Sequence, residues 1–263
     1  MLLETHALLK RFGGVIAVNE VDLAVDERQV FGLIGPNGAG KTTLINVISG
    51  QLRADGGSVR LRNRDVTNMP PHRLTALGIA RTFQGVRLFK GLTVLDNVLV
   101  GRHARMRSDA LASLVPLRSR GQAADLERVH ALLDRVGLAS RAAKLAGELS
   151  YGDQRRLEIA RALASEPALL ILDEPAAGMN PTESARLQAL MRDLVDGGLT
   201  IVLIEHDVRL VMGACERVAV LNFGRKIAEG TPAAIQRDPV VREAYLGTEV
   251  RFAASSAANA AER

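Results

Sequence analysis

The 263-residue chain contains one cysteine, no tryptophan and only 3% aromatic residues. Cys215 alone cannot form an internal disulfide, a usage that suits a reducing compartment. So few aromatics argue against a base-stacking surface for single-stranded nucleic acid. No apolar run approaches the roughly 20 residues of a membrane span. The opening residues do not have the basic–apolar–small pattern of a secretory leader, so none is expected. No internal repeat is visible, which argues against a solenoid. The net charge of +5 reads as a solvated basic surface rather than a nucleic-acid footprint. What remains is an ordinary globular mixture, 47% hydrophobic and 24% charged. Its length suits one large domain, or one domain with a sub-domain.

The apolar pattern alternates between two periods. VIAVNEVDLAV (15–25) and VFGLIG (30–35) read as strands, and KTTLINVISG (41–50) as a helix. SVRLRNRDV (58–66) reads as strand–turn–strand. Residues 90–149 are helical in pattern. Within them, DLERVHALLDRVGL places Leu126, Val129, Leu132, Leu133 and Val136 on one face. Next come a helix (153–165), a strand ALLILDE (168–174), a helix (182–196) and a strand LTIVLIEHD (199–207). A hairpin (217–230) and a helix from Asp238 to Leu246 follow, and AASSAANAAER closes the chain as a frayed tail. Strands alternating with helices predict an α/β fold with a parallel sheet, and the helical block reads as an insertion.

GPNGAGKT (35–42) matches G-x-x-x-x-G-K-[ST] between a buried strand and a helix. Gly35, Gly38 and Gly40 let the backbone turn tightly and aim its N–H groups at phosphate oxygens, where the helix dipole also points. Lys41 reaches β/γ-phosphates, and the Thr42 hydroxyl is a ligand for Mg²⁺. ALLILDE delivers Asp173 at a strand's C-terminal end, where it can hold Mg²⁺, and Glu174 is the candidate base for the attacking water. His206 ends the next buried strand. It fits a γ-phosphate contact as well as a structural role. Gln84, in RTFQ, is by itself no more than a surface glutamine. Its amide could touch Mg²⁺ or the water. ELSYGDQRR (148–156) raises a separate question. Ser150 and Asp153 have capping-box spacing, yet Gly152 occupies the first turn, where propensity disfavours it.

Taken together, these segments resemble the ATP-binding cassette of ABC transporters, over about residues 3–247. LSYGDQ (149–154) is similar to that family's signature, usually LSGGQ. KRFGGVIAVNEVDL, RLFKGLTVLDNVLVG, DEPAAGMNP and EAYLG resemble the ATPases of branched-chain amino-acid importers, and much of the wording is shared with urea-type importers and the lipopolysaccharide-export ATPase.

The resemblance implies a P-loop NTPase (RecA-like) core with an antiparallel β subdomain and an inserted α-helical subdomain. It divides the chain into a discontinuous core (1–85 and 151–247), a helical signature subdomain (86–150) and a tail (248–263). It implies ATP and Mg²⁺ as ligands. Gly35, Pro36, Asn37, Gly38, Ala39, Gly40, Lys41, Thr42 and Thr43 would lie around the phosphates, and Phe12 on the adenine. Thr42, Gln84 and Asp173 would lie at the metal, and Glu174, His206, Lys41 and Gln84 in catalysis. Ser150 and Gly152 would face a nucleotide held by a second ATP-binding subunit, identical or similar. Membrane permease subunits and, indirectly, a periplasmic or extracellular substrate-binding protein are the further partners. The implied location is peripheral, on the cytoplasmic face of the cell membrane.

Four places depart from the pattern: Tyr151 for glycine, Asp153 for glutamine, AGMN (177–180) for SALD, and DERQVFG (26–32), which lacks the usual glycine before the phosphate-loop strand. Asp153 is expected to complete the capping box and so to turn its charge from the nucleotide. The rivals are a soluble ABC-type ATPase acting on DNA or ribosomes and a P-loop small-molecule kinase. The first usually has a coiled-coil insertion, zinc fingers or a second cassette, and none is seen here. The second has no use for LSYGDQ.

Overall fold

The computed structural model describes residues 1–106 and 118–246, and the expected tail lies outside them. Strands β1 (Leu3–Phe12) and β2 (Val15–Val25) form an antiparallel hairpin. Strand β3 (Val30–Ile34) is buried at all five residues and leads through the glycine loop into helix α1 (Lys41–Ile48). Strands β4 (Gly56–Leu61) and β5 (Arg64–Asp65) turn through Arg62 and Asn63, both at positive φ, and complete a four-stranded sheet in the order β2-β1-β4-β5. Helix α2 (Pro71–Ala76) and strand β6 (Ile79–Arg81) precede the helical block of α3 (Val94–Met106) and α4 (Arg118–Arg135). Helix α5 (Tyr151–Leu163) begins two residues before the amphipathic run suggests, because Ser150 caps it.

The second half alternates as expected. Strand β7 (Leu169–Asp173), helix α6 (Pro181–Asp196), strand β8 (Thr200–Ile204) and helix α7 (Val208–Ala214) lead to the hairpin β9 (Arg217–Asn222) and β10 (Arg225–Gly230). Helices α8 (Pro232–Arg237) and α9 (Pro239–Leu246) follow. The six-stranded sheet runs β10-β9-β3-β8-β7-β6, parallel except for β10. Its three central strands β3, β8 and β7 are buried throughout, which explains their unbroken apolar sequences.

Three apolar clusters hold these layers together. One lies between the antiparallel sheet, α1 and a face of the larger sheet, around Leu8, Phe31 and Leu44. A second covers the opposite face, around Ile201, Leu187 and Met191. The third joins α3, α4 and α5 through Val98, Leu133 and Leu157. Helix α5 serves both of the last two, with Ile159 in one and Leu157 in the other. Leu126 is a correction to the expected apolar face: it is 40% exposed, and of the five residues expected there Val129, Leu133 and Val136 are buried. Among the described residues, no helix is long and apolar enough to cross a membrane.

Candidate nucleotide site

Register sets the geometry. Leu33 of β3 pairs with Ile204 of β8, and Ile204 with Asp173 of β7, so these strands end level with one another. Every residue just past an end therefore meets the others at the C-terminal edge of the parallel sheet, where open α/β folds place ligands. A cleft of about 440 Å³ opens there, lined by Gly35, Pro36, Asn37, Gln84, Glu174, His206 and Tyr245.

The glycine loop owes its shape to backbone crowding. A Cβ on Gly35 would lie 2.2 Å from the Leu221 carbonyl oxygen, and one on Gly40 would lie 2.3 Å from that of Ala17. Gly40, at φ 100°, also forms the N-cap of α1 without a side-chain cap, which leaves that helix end open for an anion. Asn37 and Gly38 are exposed, and Ala39 is buried. Lys41 is 8% exposed and donates to the carbonyls of Gly35 (2.6 Å) and Pro36 (3.1 Å). Burial pushes its pKa down, while Glu174 and Asp173 pull it up, so its ammonium lies in the field of both carboxylates. Thr42 is exposed at the first turn, and Thr43 is half-buried beside it.

The two acids at the end of β7 differ sharply. Asp173 is held by Arg81 at 2.8 Å, with both side chains buried, and the same guanidinium donates to Asn46 (2.7 Å) and Ser49 (2.9 Å). Glu174 follows at φ 48°, a left-handed conformation costly for a non-glycine residue. Its N–H donates to Ile204 O (2.9 Å), and its carboxylate accepts from Gln84 Nε2 (2.8 Å). The strained backbone thus aims Glu174 into the cleft rather than along the strand. His206 stands exposed across from it, and its backbone N–H donates to Glu205 (3.2 Å). Glu205 is 1% exposed and also accepts from Ala176 N (2.9 Å), so one buried carboxylate braces the loops after β7 and β8. Burial pushes its pKa up, against the pull of the backbone N–H groups of Ala176 and His206.

Sequence reading missed Arg81, Glu205 and Tyr245. Arg81 could have been found only through its partner, since an isolated arginine after an apolar pair carries no signal. Glu205 was visible as an acid inside an apolar run. Tyr245, on the inner face of α9, is 3% exposed, and burial pushes its phenol pKa up while the Gly35 backbone acts against that.

Three predicted residues lie elsewhere. Phe12 does not line the cleft: it is 48% exposed at the tip of the β1–β2 hairpin, with Lys10 Nζ 5.4 Å from its ring. Ser150 and Gly152 line a separate cleft of about 190 Å³ with Arg141, Asp153, Arg156, Met179 and Glu183. There Ser150 Oγ accepts from Asp153 N (3.2 Å), so the expected N-cap is present. The expected return bond from Asp153 is not. Its carboxylate is taken by Arg141 and Arg156, which outbid a backbone amide by charge. The full capping box belongs to α6 instead, where Asn180 and Glu183 satisfy each other. A Cβ on Gly152 would lie 2.6 Å from Glu183 Oε1, the end of a flexible side chain that would have to shift from its capping box.

A largely parallel sheet with a glycine loop between β3 and α1, facing two acids at the end of β7, defines a P-loop nucleoside-triphosphatase fold. The profile of the ABC transporter family matches residues 18–177, and that of the branched-chain amino acid ATP-binding cassette transporter matches residues 225–251. The chain belongs to the ABC transporter family, as an ATP-binding cassette. It is 45% identical over 249 residues to the high-affinity branched-chain amino acid transport ATP-binding protein LivG of Salmonella typhimurium, covering 94% of this chain and 98% of that one. BraF of Pseudomonas aeruginosa, with the same description, is also 45% identical over 249 residues, again covering 94% and 98%. Among solved structures, the ADP conformation of MJ1267, an ATP-binding cassette of an ABC transporter, superposes with a TM-score of 0.82 at 35% identity, covering 94% of this chain and 98% of that one.

Proposed function

We propose that this chain is the ATP-hydrolysing subunit of an ABC importer that takes up branched-chain or related amino acids through a membrane permease. The observation that carries the reading is the single cleft that gathers Gly35, Pro36, Asn37, Gln84, Glu174 and His206 at the C-terminal edge of the sheet. The backbone of residues 35–43 receives the phosphates of ATP, and Lys41 exchanges its loop carbonyls for phosphate oxygens. Phe12 stacks on the adenine from the antiparallel sheet. Thr42, Asp173 and Gln84 offer a hydroxyl, a carboxylate and an amide oxygen, a hard-oxygen set that fits Mg²⁺ once phosphates complete it. Bound Mg²⁺ would neutralise charge on the phosphates. Glu174 takes the proton of the attacking water, and His206 orients it against the γ-phosphate.

Ser150 and Gly152 belong to the same reaction in a second subunit. The N-terminus of α5 presents backbone donors and the Ser150 hydroxyl to a nucleotide held by the partner. Residues 86–150 form the helical subdomain and pass the motion to the permease, while 1–85 and 151–247 form the core. The chain then works peripherally at the cytoplasmic face of the cell membrane, and a substrate-binding protein acts on the far side. The test is to isolate the membrane complex and identify its other subunits and its ligand. A permease with an amino-acid-binding protein is expected. Recovery with ribosomes or nucleic acid, and with no membrane protein, overturns the reading.

A further inference from the structure

Arg155 lies in the second turn of α5 and is 2% exposed, so its donors must find partners inside the protein. Behind it sits Glu158 at 3.4 Å, equally buried. Burial pushes the Glu158 pKa up, and the backbone N–H of Arg87 and the charge of Arg155 act against that. In front, Nη1 donates to the Phe83 carbonyl (2.9 Å) and Nη2 to the Gln84 carbonyl. Nε and Nη2 also donate to the Tyr151 hydroxyl, at 3.1 and 2.8 Å. The guanidinium lies 5.3 Å from the centre of the Tyr151 ring.

These contacts join three segments. Residues 83 and 84 lie beyond β6 in irregular backbone, so the guanidinium supplies donors that no neighbouring strand gives their carbonyls. Holding two successive carbonyls fixes the peptide planes on both sides of Gln84, and with them the direction of its side chain toward Glu174. Tyr151 meets a third segment: a Cβ on Gly178, in the loop between β7 and α6, would lie 3.3 Å from its ring. Tyr151 is also the first residue of α5, between Ser150 and Gly152.

We infer that Tyr151 and Arg155 are positioning residues that orient Gln84 within its own subunit and tie it to the start of α5. This rests on the ATPase reading above. When Gln84 leaves Glu174 for another ligand, its carbonyl stays in the grip of Arg155, so the displacement reaches Tyr151 and the helix start that serves the partner. The tyrosine that departs from the usual signature glycine then has a role facing inward, toward its own Gln84.

The test uses the full-length chain purified with its transporter complex. Tyr151→Phe keeps the ring on Gly178 and removes the hydroxyl. Arg155→Lys keeps the charge opposite Glu158 but cannot span both carbonyls and the phenol. Both variants are expected to lower kcat by about 3- to 30-fold with KM for ATP close to wild type. Each is also expected to lower Tm by about 2–10 °C, because each strands buried donors or acceptors of Arg155 or its partners, so kcat is read well below the melt. In a Gln84→Ala background, Tyr151→Phe is expected to add nothing further. Should Arg155→Lys fail to fold, Tyr151→Phe alone decides. An unchanged kcat below the melt, or effects that multiply with Gln84→Ala, overturns the inference and leaves the ATPase reading intact. A wild-type complex that neither binds nor hydrolyses ATP overturns both.

Discussion

The two clefts on this chain are built from opposite materials. The cleft at the glycine loop has charge aimed into it in Glu174, on a strained backbone, while Lys41 is buried against the loop carbonyls in the field of two carboxylates. The cleft at the start of α5 has its carboxylates tied up. Asp153 is bound to Arg141 and Arg156, and Glu183 is committed to its capping box. The groups left open there are Arg186 and a helix N-terminus with its serine. Both clefts therefore offer a helix N-terminus to an anion, and the one at the glycine loop adds the carboxylate that the proposed hydrolysis needs. That difference suits the composite site, split between two subunits, that is proposed above.

The contrast is broken most severely by Glu174→Gln. Loss of the base is expected to lower hydrolysis by about 10²–10⁴-fold and leave ATP affinity in place, and steady-state turnover with equilibrium binding checks both. Lys41→Ala comes next. It removes a charge-assisted contact worth about 1.5–3 kcal/mol, so ATP affinity should fall by about 10- to 100-fold, read by titration calorimetry. Asp153→Gln sharpens the other side of the comparison. It leaves two arginines without their carboxylate, but Arg141 is 43% exposed, so the cost is about 1–3 kcal/mol, below that of a fully buried pair. Denaturant melts should register that loss while ATP affinity stays unchanged. The reverse pattern would mean that Asp153 faces the nucleotide.

The smallest effect concerns Glu205. Burial raises its folded-state pKa, so above about pH 4.5, its ordinary value, the folded chain holds a proton that the unfolded chain releases. Its contribution to stability is greatest at low pH and falls as pH rises through the raised value. Glu205→Gln cannot titrate, so its stability between about pH 4.5 and 7 should vary less than that of wild type. Parallel pH profiles for the two proteins would count against the buried brace.

Long apolar runs such as VFGLI, LLILD and TIVLI were legible because strands buried on both faces need no alternation. The glycine loop was legible because few residues allow its backbone. Strand β6 and helices α2, α7 and α8 were not, since three to seven residues hold too few periods to show one. The positive φ of Glu174 is invisible in ALLILDE, because it arises where the chain leaves β7 and Glu174 N–H bonds Ile204. Spacing placed Ser150 correctly as a cap but misassigned Asp153, whose arginine partners include Arg141, twelve positions away. Arg28 shows the converse. It stands where the family commonly has glycine and adopts φ 58°, its N–H held by Thr200 Oγ1 at 2.8 Å.

ELSYGDQRR also changes meaning. Gly152 lies against Glu183 of its own chain, Asp153 is occupied by arginines, and Tyr151 reaches inward to Arg155. Ser150 and the backbone of the helix start remain for a partner, beside the exposed edge of Tyr151. The most direct measurement is sedimentation of the Glu174→Gln chain with saturating ATP, alone and mixed with any ATP-binding subunit recovered from the same complex. The account predicts an ATP-dependent pair of cassettes that Ser150→Arg dissolves without weakening ATP binding to the single chain. Single cassettes at saturating ATP, or a pair that survives Ser150→Arg, would contradict it.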